Sequence, residues 1–503
     1  ILLVGRGRPS VYKGISLLVT LGAFALALLM MVVFDTEAKG MQFVEDLAWV
    51  PALNIHYGFG IDGISALLVF LTALLGVVVI VASWHYAKDR EMGFFISLLL
   101  LQVGMVGVFC ATDLFLFYVF WEAMLVPMYF IIGIWGGQRR IYAAIKFFLF
   151  TLVGSLLMLV AMIVVVYYVK DGTGVLTFDI RELSEQVYPY RLQFWAFLAF
   201  FLAFAIKVPM FPLHTWLPDA HVEAPMAGSV LLAGVLLKMG GYGMLRFCLP
   251  FFPDAAVAFA PYIIVLSVVA ILYGALVSLV QKDLKKLVAY SSVSHMGFVT
   301  AGIFASIVVA GNAIGMEGAI LVMFNHGVLT GALFLLVGFL YERTRTRQIA
   351  DMAMLATPMP VAAGLLLFFS LGSLGLPGLS GFVGEFLSLL GLFQYSYWLA
   401  ALAALGVILA AAYLLWMFQR TMFNDRGIDA VRPSSGLIDF NTREIVSLLP
   451  LVVLAIWAGV YPNTFLDYLH VPVQEILEEV KPSLESARTS GLAQLIAGAK
   501  GHF

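Results

Sequence analysis

Charged side chains are scarce in this sequence, and their scarcity distinguishes a membrane protein from a soluble one. Only 12% of the 503 residues are charged, whereas 62% are hydrophobic and the mean hydropathy is +1.00. Soluble globular proteins are typically about 45–50% apolar, so a chain of this length and composition cannot be a soluble globule. The sequence predicts a polytopic protein of the lipid bilayer.

Cysteine and excess positive charge are also lacking. Cys110 and Cys248 lie in separate apolar runs, so they offer neither a disulfide framework nor a cluster of thiolate ligands, and we predict no metal site. The formal net charge of -2 argues against binding to nucleic acid, which needs a basic stripe.

The chain begins with the apolar residues ILLV, from Ile1, and a basic stretch follows at 6–13. We therefore expect that a further membrane span precedes this chain and that ILLV is its end.

Thirteen apolar segments follow, most of them close to the ~20 residues that a spanning helix needs. They lie near 14–34, 63–84, 92–110, 113–135, 143–169, 192–217, 225–248, 257–280, 286–308, 316–341, 360–393, 398–420 and 446–463. Proline interrupts two of them, at Pro209 and Pro212 in the sixth and at Pro377 in the eleventh, and proline breaks a helix. We predict an all-α polytopic fold of about 13 transmembrane helices, two of them discontinuous.

The order of these segments indicates an internal repeat. Five segments lead from 92 to 248 and five more from 257 to 420, and the fourth in each set is the broken one. Because an odd number of helices turns the second copy over, five-helix repeats imply inverted topology. The sequence therefore predicts a single transmembrane domain over 1–503, with these two inverted repeats and a short tail, 464–503.

The loops give the chain an orientation. When successive loops are assigned to alternate sides, 18 of the 28 Lys and Arg residues fall on one side. The positive-inside rule places that side in the cytoplasm. We therefore expect a multi-pass protein of the bacterial inner membrane, with the loop at 35–62 and the tail on the periplasmic side.

Two lysines lie at a depth where lysine is rare. Lys207 lies in the first broken segment and Lys238 near the middle of the next one. A broken helix beside a buried cation is how transporters build ion sites. The alternative is that both lysines are structural, or that Lys207 reaches an interface along its aliphatic stem.

Two glutamates lie at similar depth. Glu122 is nine residues from Asp113, ~13 Å along a helix, which puts it close to the bilayer midplane. Glu385 follows the break in the second discontinuous helix. A buried carboxylate needs a partner, and we predict an ion pair between Glu122 and Lys207.

Polar residues of other spans are weaker candidates. Histidine titrates near neutral pH and can pass protons between buried charges, so His295 and His326 are possible members of a proton relay. Taken singly, each is as well explained by packing between helices. Glu317 lies at the end of a predicted span, and we expect it to have little effect.

Four stretches resemble the antiporter-like membrane subunits of respiratory NADH:quinone oxidoreductase. They are LFYVFWEAMLVPMYFIIGIWGG, AIKVPMFPLHTWLPDAHVEAPMAGSVLLAGVLLKMGGYG, QKDLKKLVAYSSVSHMGFV and GLPGLSGFVGEF. The resemblance extends over nearly the whole chain. It implies a fold of fourteen helices with two inverted five-helix repeats and a role in proton translocation.

The resemblance also implies roles for individual residues. The family's buried charged residues of helices five, seven, eight and twelve match, in that order, Glu122, Lys207, Lys238 and Glu385. His295 and His326 match polar positions along its hydrated axis. Sibling subunits usually carry lysine where this chain has Glu385; glutamate there, together with the short tail, favours the subunit M branch, the counterpart of mitochondrial chain 4.

No redox centre is recognisable in the chain. Its glycine-rich stretch GLPGLSGFVG is a helix break without the strand–turn–helix context of a dinucleotide site, so we predict no cofactor site. The resemblance implies that partner subunits hold NADH, FMN, iron–sulfur clusters and quinone. It also implies contacts with neighbouring antiporter-like subunits and with the lateral helix of subunit L.

Three other functions remain open from the sequence. A subunit of a multisubunit sodium/proton antiporter or of a membrane-bound hydrogenase would share these motifs. A membrane cytochrome could use His295 and His326 as haem ligands, if both faced one cavity. A purely structural scaffold is disfavoured by the buried charges.

Overall fold

The computed structural model describes residues 9–86, 89–309, 311–352, 354–423 and 437–489. The expectation of a preceding span concerns residues 1–8 and lies outside the described residues, as does the last part of the predicted tail. The helices are, in chain order, α1 (Pro9–Val33), α2 (Gly63–Ala82), α3 (Glu91–Cys110), α4 (Leu114–Ala123), α5 (Leu125–Trp135), α6 (Arg140–Thr173), α7 (Ile180–Ser184), α8 (Tyr190–Lys207), α9 (Trp216–Glu223), α10 (Met226–Leu231), α11 (Leu237–Gly243), α12 (Leu249–Phe251), α13 (Pro253–Leu279), α14 (Leu284–Val308), α15 (Ala313–Thr344), α16 (Pro360–Ser373), α17 (Ser380–Tyr395), α18 (Tyr397–Met422), α19 (Thr442–Val460) and α20 (Asn463–Thr489).

The prediction of a helical polytopic membrane fold is confirmed. Among the described residues, 12 helical stretches are long and apolar enough to cross a membrane. One of them joins α10, α11 and α12 through two π-helical segments, Leu232–Leu236 and Met244–Cys248. The remaining predicted segment corresponds to α16 and α17, each too short to cross alone.

Both proline-rich breaks lie within the bundle. Pro209 and Pro212 lie between α8 and α9, and Pro377 lies between α16 and α17. Gly375 and Gly378, on either side of Pro377, have φ values of 83° and 90°, in the left-handed region that glycine tolerates best. Four membrane-spanning segments lie between the two broken helices. Because successive spans alternate in direction, the two broken helices run in opposite directions. That arrangement agrees with inverted repeats, which stay a prediction.

The centre of the bundle is formed by α10–α12, α14 and α15, whose apolar stretches are completely buried. By contrast, only 17% of the apolar stretch of α1 is buried, so its surface is available to lipid or to another chain. Close packing at the centre depends on small residues. Gly391 of α17 lies against Gly315 of α15, where an added Cβ would fall 2.3 Å from the Gly315 Cα.

The two ends of the bundle are different. A hairpin of antiparallel strands, β1 (Gln42–Val50) and β2 (Ile55–Ile61), occupies the region that the sequence predicts only as a loop. It lies with α20 at what we call the tail end, where the Gly40 N–H donates to Glu475. The opposite, connection end holds short turns such as 136–139 and 280–283, and there Arg347 pairs with Asp283 at 3.4 Å.

The contact between α15 and α17 provides a test of this packing. Gly391→Ala should destabilise the protein by about 1–3 kcal/mol, since the added methyl group overpacks the Gly315 backbone. Gly364→Ala in α16 is the matched control, because a Cβ there meets no atom within 4 Å and alanine is the better helix former by about 1 kcal/mol. The melting temperature of the purified protein would measure both; equal melting temperatures would contradict this packing.

Candidate functional site

Four ionisable side chains from four different helices form a chain through the buried centre of the bundle. In spatial order they are Lys238 of α11, His326 of α15, His295 of α14 and Glu385 of α17. None is more than 5% exposed. A buried ionisable group is costly unless it is paired or hydrogen-bonded, and here each one has such a partner.

Lys238 begins the chain just after the π-helical segment Leu232–Leu236. A π-helical turn shifts the backbone hydrogen bonds and is frequent at functional sites. The Lys238 Nζ donates to the Ala233 carbonyl within this turn, and it lies 2.7 Å from Nδ1 of His326. Because an ammonium group can only donate, a charged Lys238 makes Nδ1 of His326 the acceptor and places the proton of that neutral ring on Nε2.

The two histidines lie side by side and share a small polar cavity. Their ring centroids are 5.8 Å apart, and the ring planes are inclined by 60°. The cavity has a volume of about 10 Å³, which is enough for on the order of one water molecule. Its wall is partly formed by polar side chains: Asn325, Thr330, Ser373, Glu385 and the two histidines.

Glu385 completes the chain on the far side of His295. Its Oε1 lies 2.6 Å from Nδ1 of His295, while Nε2 of that ring is 3.5 Å from Ser373 Oγ and 3.4 Å from the Tyr413 hydroxyl. The break between α16 and α17 makes room for the carboxylate. A Cβ at Gly375 would fall 3.3 Å from Oε2 of Glu385.

Lys207 and Glu122 lie apart from these four side chains. Lys207 is 1% exposed, and its Nζ stands 4.8 Å from the centroid of the Trp121 ring, in cation–π range. Neither this Nζ nor Oε1 of Glu122 has a hydrogen-bond partner among the described residues. The predicted ion pair is therefore not a direct contact in this structure, although the two charges still interact electrostatically.

The position of Glu122 follows from a second proline effect. Pro127 has no N–H to donate to the carbonyl of Ala123, and the helix is interrupted at Met124, between α4 and α5. Glu122 lies in the last turn before this interruption, and the residue as a whole is half-buried. Its Oε1 is nevertheless buried and makes no hydrogen bond to Lys207.

Sequence reasoning missed a further buried histidine, His221 of α9. Its ring is fully buried, stacks on Phe334 with centroids 4.5 Å apart, and has no hydrogen-bond partner among the described residues. The charges of two buried lysines, Lys285 and Lys238, act electrostatically on this ring. Since His221 follows a proline-rich break, outside any long apolar run, the hydropathy pattern gives no sign of its burial.

Lys285 is a further buried lysine, close to the connection end. The Lys285 Nζ donates to the Ala224 carbonyl at 2.5 Å. Beyond it opens a cavity of about 440 Å³ whose wall includes Glu223, Lys286 and Arg347. Buried ionisable groups are thus present from the connection end to Glu385, but no hydrogen bond among the described residues joins His221 to Lys285 or to Lys238.

The geometry disfavours the haem alternative. A haem held by His295 and His326 would need a space of several hundred Å³ between them, but their shared cavity is about 10 Å³. One nitrogen of each ring is also occupied by another of the four side chains: Glu385 contacts His295, and Lys238 contacts His326. Donors and acceptors in this order are suited to passing protons.

Known proteins resemble this chain over almost its whole length. Residues 111–410 match the family model described as NADH:quinone oxidoreductase/Mrp antiporter, TM, and residues 15–107 match NADH-ubiquinone oxidoreductase chain 4, amino terminus. NADH-quinone oxidoreductase subunit M of Rhodobacter capsulatus is 48% identical, over 97% of this chain and 93% of its own. NADH-ubiquinone oxidoreductase chain 4 of Marchantia polymorpha is 44% identical, over 96% and 94%.

Solved structures resemble it as well. A chain of respiratory complex I from Thermus thermophilus superposes with a TM-score of 0.84 at 36% identity, over 93% of this chain and 95% of that one. A chain of the Mrp complex from Dietzia sp. DQ12-45-1b gives a TM-score of 0.79 at 20% identity, over 95% of each chain. At that identity the second likeness shows a shared fold alone.

The two buried lysines should differ in their effect on stability. Lys238→Met leaves His326 Nδ1 without its partner, and an unsatisfied buried polar atom costs about 1–3 kcal/mol. Lys207→Met removes a cation without a hydrogen-bond partner, so it should cost less or even stabilise the protein. We expect the melting temperature of Lys238→Met to be the lower of the two, and the reverse order would contradict these contacts.

Proposed function

The chain belongs to the family of NADH-quinone oxidoreductase subunit M and NADH-ubiquinone oxidoreductase chain 4, and on that basis we propose that its buried polar chain is the path along which protons are translocated. It is an antiporter-like membrane subunit of complex I, a multi-pass protein of the bacterial inner membrane. The observation that carries the proposal is continuity: Lys238, His326, His295 and Glu385 are linked by short polar contacts and one shared cavity.

Each member of the path can both bind and release a proton. A proton leaving the Lys238 ammonium group passes to Nδ1 of His326, and the ring can then release its other proton from Nε2 toward the cavity. His295 receives it on Nε2 and donates from Nδ1 to Glu385. His221 and Lys285 supply protons to Lys238 from the connection end, which we place in the cytoplasm by its excess of Lys and Arg residues.

Lys207 and Glu122 act as a charge switch beside the path. The last turn of α8, which ends at Lys207, packs directly on α11: a Cβ at Gly240 would fall 2.5 Å from the Phe204 carbonyl oxygen. Gly240 is two residues from Lys238. We propose that a change in the charge or position of Lys207 is transmitted to Lys238 through this contact between α8 and α11 and alters the protonation state of Lys238.

The energy for translocation comes from partner subunits. We propose that NADH, FMN, iron–sulfur clusters and quinone are bound there, and that this chain contacts neighbouring antiporter-like subunits and the lateral helix of subunit L. The exposed apolar face of α1, of which only 17% is buried, is available for such contacts. Coupling between subunits would then be a free energy of interaction between their charge states.

Replacing Glu385 tests the path. Glu385→Gln keeps the side-chain volume but cannot take up a proton, so the proton-to-electron ratio of membrane vesicles oxidising NADH should fall. Glu385→Lys restores a titratable group and should be less harmful than Glu385→Ala. Glu182→Gln, on the exposed face of α7, is the matched control. A wild-type ratio in Glu385→Ala would remove this residue from the path.

Replacing Glu122 tests the switch separately. Glu122→Gln removes the negative charge that favours a protonated Lys207, so proton pumping should fall. The complex should still assemble, because the lysine can become neutral and avoid the ~3–5 kcal/mol cost of an unpaired buried charge. Glu122→Asp should retain part of the activity.

Proton pumping would be measured in membrane vesicles, and the amount of assembled complex would be measured on an immunoblot. Normal pumping by Glu122→Gln would refute the switch. Loss of the assembled complex would instead assign the glutamate a structural role.

A further inference from the structure

The tail end of the bundle contains a second pair of a carboxylate and a histidine. Glu317, near the start of α15, is 8% exposed, and its Oε1 lies 2.8 Å from Nδ1 of His470 in α20. The side chain of His470 is 51% exposed. The pair therefore joins the interior of the bundle to its surface, a contact that the expectation from sequence for Glu317, that it has little effect, did not include.

The helix packing shows how far this pair is from the proposed path. Gly384 lies against the backbone of Val322, where an added Cβ would fall 2.7 Å from the Val322 nitrogen. The neighbouring Glu385 is thus level with Val322, five residues from Glu317, which is ~8 Å along a helix. A direct hydrogen bond cannot cover that distance, so a proton would need an intermediate group.

Ser388 lies at a level between these two residues along α17, and its hydroxyl group is close to α14, where a Cβ at Gly302 would fall 3.2 Å from Ser388 Oγ. It is one helical turn beyond Glu385 on α17, is 1% exposed, and has a hydroxyl group without a hydrogen-bond partner among the described residues. It also lies beside Gly318, the residue after Glu317: a Cβ at Gly318 would fall 2.5 Å from the Ser388 nitrogen. A hydroxyl group both donates and accepts hydrogen bonds, and together with a water molecule it can carry a proton across such a gap.

We propose that the Glu317–His470 pair is the site where protons leave the path at the tail end, with Ser388 as the link from Glu385. Asp467, whose Oδ1 is 3.9 Å from Nε2 of His470 and whose side chain is 57% exposed, lies beside the pair at the surface. The inference rests on the proposed function, since it extends the same path beyond Glu385. It assigns α20 a part in proton release in addition to its packing against the bundle.

The test uses the whole complex in sealed membrane vesicles and measures protons pumped per electron transferred from NADH. This ratio does not depend on how much complex assembles. Glu317→Gln should lower the ratio as much as Glu385→Gln does, and Glu317→Asp should retain part of it. His56→Gln is the matched control, because His56 also pairs with a carboxylate at the tail end, Asp46 at 2.6 Å, but is not linked to the path.

Chemical rescue separates proton transfer from a structural role. His470→Ala should lower the ratio, and added imidazole should restore it, since the vacated position is accessible to solvent. Pyrrole, a ring of the same size without a basic nitrogen, should not restore it. Equal effects of imidazole and pyrrole would overturn the proposal and leave the pair as a structural tether of α20.

The remaining outcomes distinguish this inference from the one on which it rests. A wild-type ratio in Glu317→Gln, with a lowered ratio in Glu385→Gln, would overturn the release site alone. Wild-type ratios in both variants would refute the proposed path, and the release site with it.

Discussion

The cost of burying ionisable side chains in an apolar bundle is the constraint on which this structure depends. An unpaired charge at such depth would cost several kcal/mol, so each group must find a partner on another helix. Lys238, His326, His295 and Glu385 do so across four helices. The relative positions of those helices are consequently fixed by polar contacts as well as by apolar packing.

Irregular backbone makes those contacts possible. The π-helical segment before Lys238 supplies a carbonyl acceptor, and the break before α17 leaves space beside Gly375 for the Glu385 carboxylate. Close glycine contacts such as Gly315–Gly391 then let the helices approach to hydrogen-bonding distance. Such departures from ideal helix are tolerated at membrane depth only inside the protein or beside a polar cavity.

The sequence was sufficient to predict the helical fold, because segment length and hydropathy report directly on membrane spans. The positions of the prolines likewise predicted both helix breaks, and the buried lysines predicted a functional site that involves α8 and α11. The hairpin β1–β2, the burial of His221 and the pairing of Glu317 with His470 could not be predicted, since each depends on contacts between distant segments. The Glu122–Lys207 contact was expected from charge alone, but neither Lys207 Nζ nor Glu122 Oε1 makes a hydrogen bond among the described residues.

The central claim is that the four side chains work as one path, and a double-variant comparison tests it most directly. His326→Gln and Glu385→Gln would be made singly and together, and the number of protons pumped per electron measured in vesicles. If both residues belong to one path, the double variant loses no more than either single variant. Losses that add would contradict the account, because they would mean that the two residues serve separate routes.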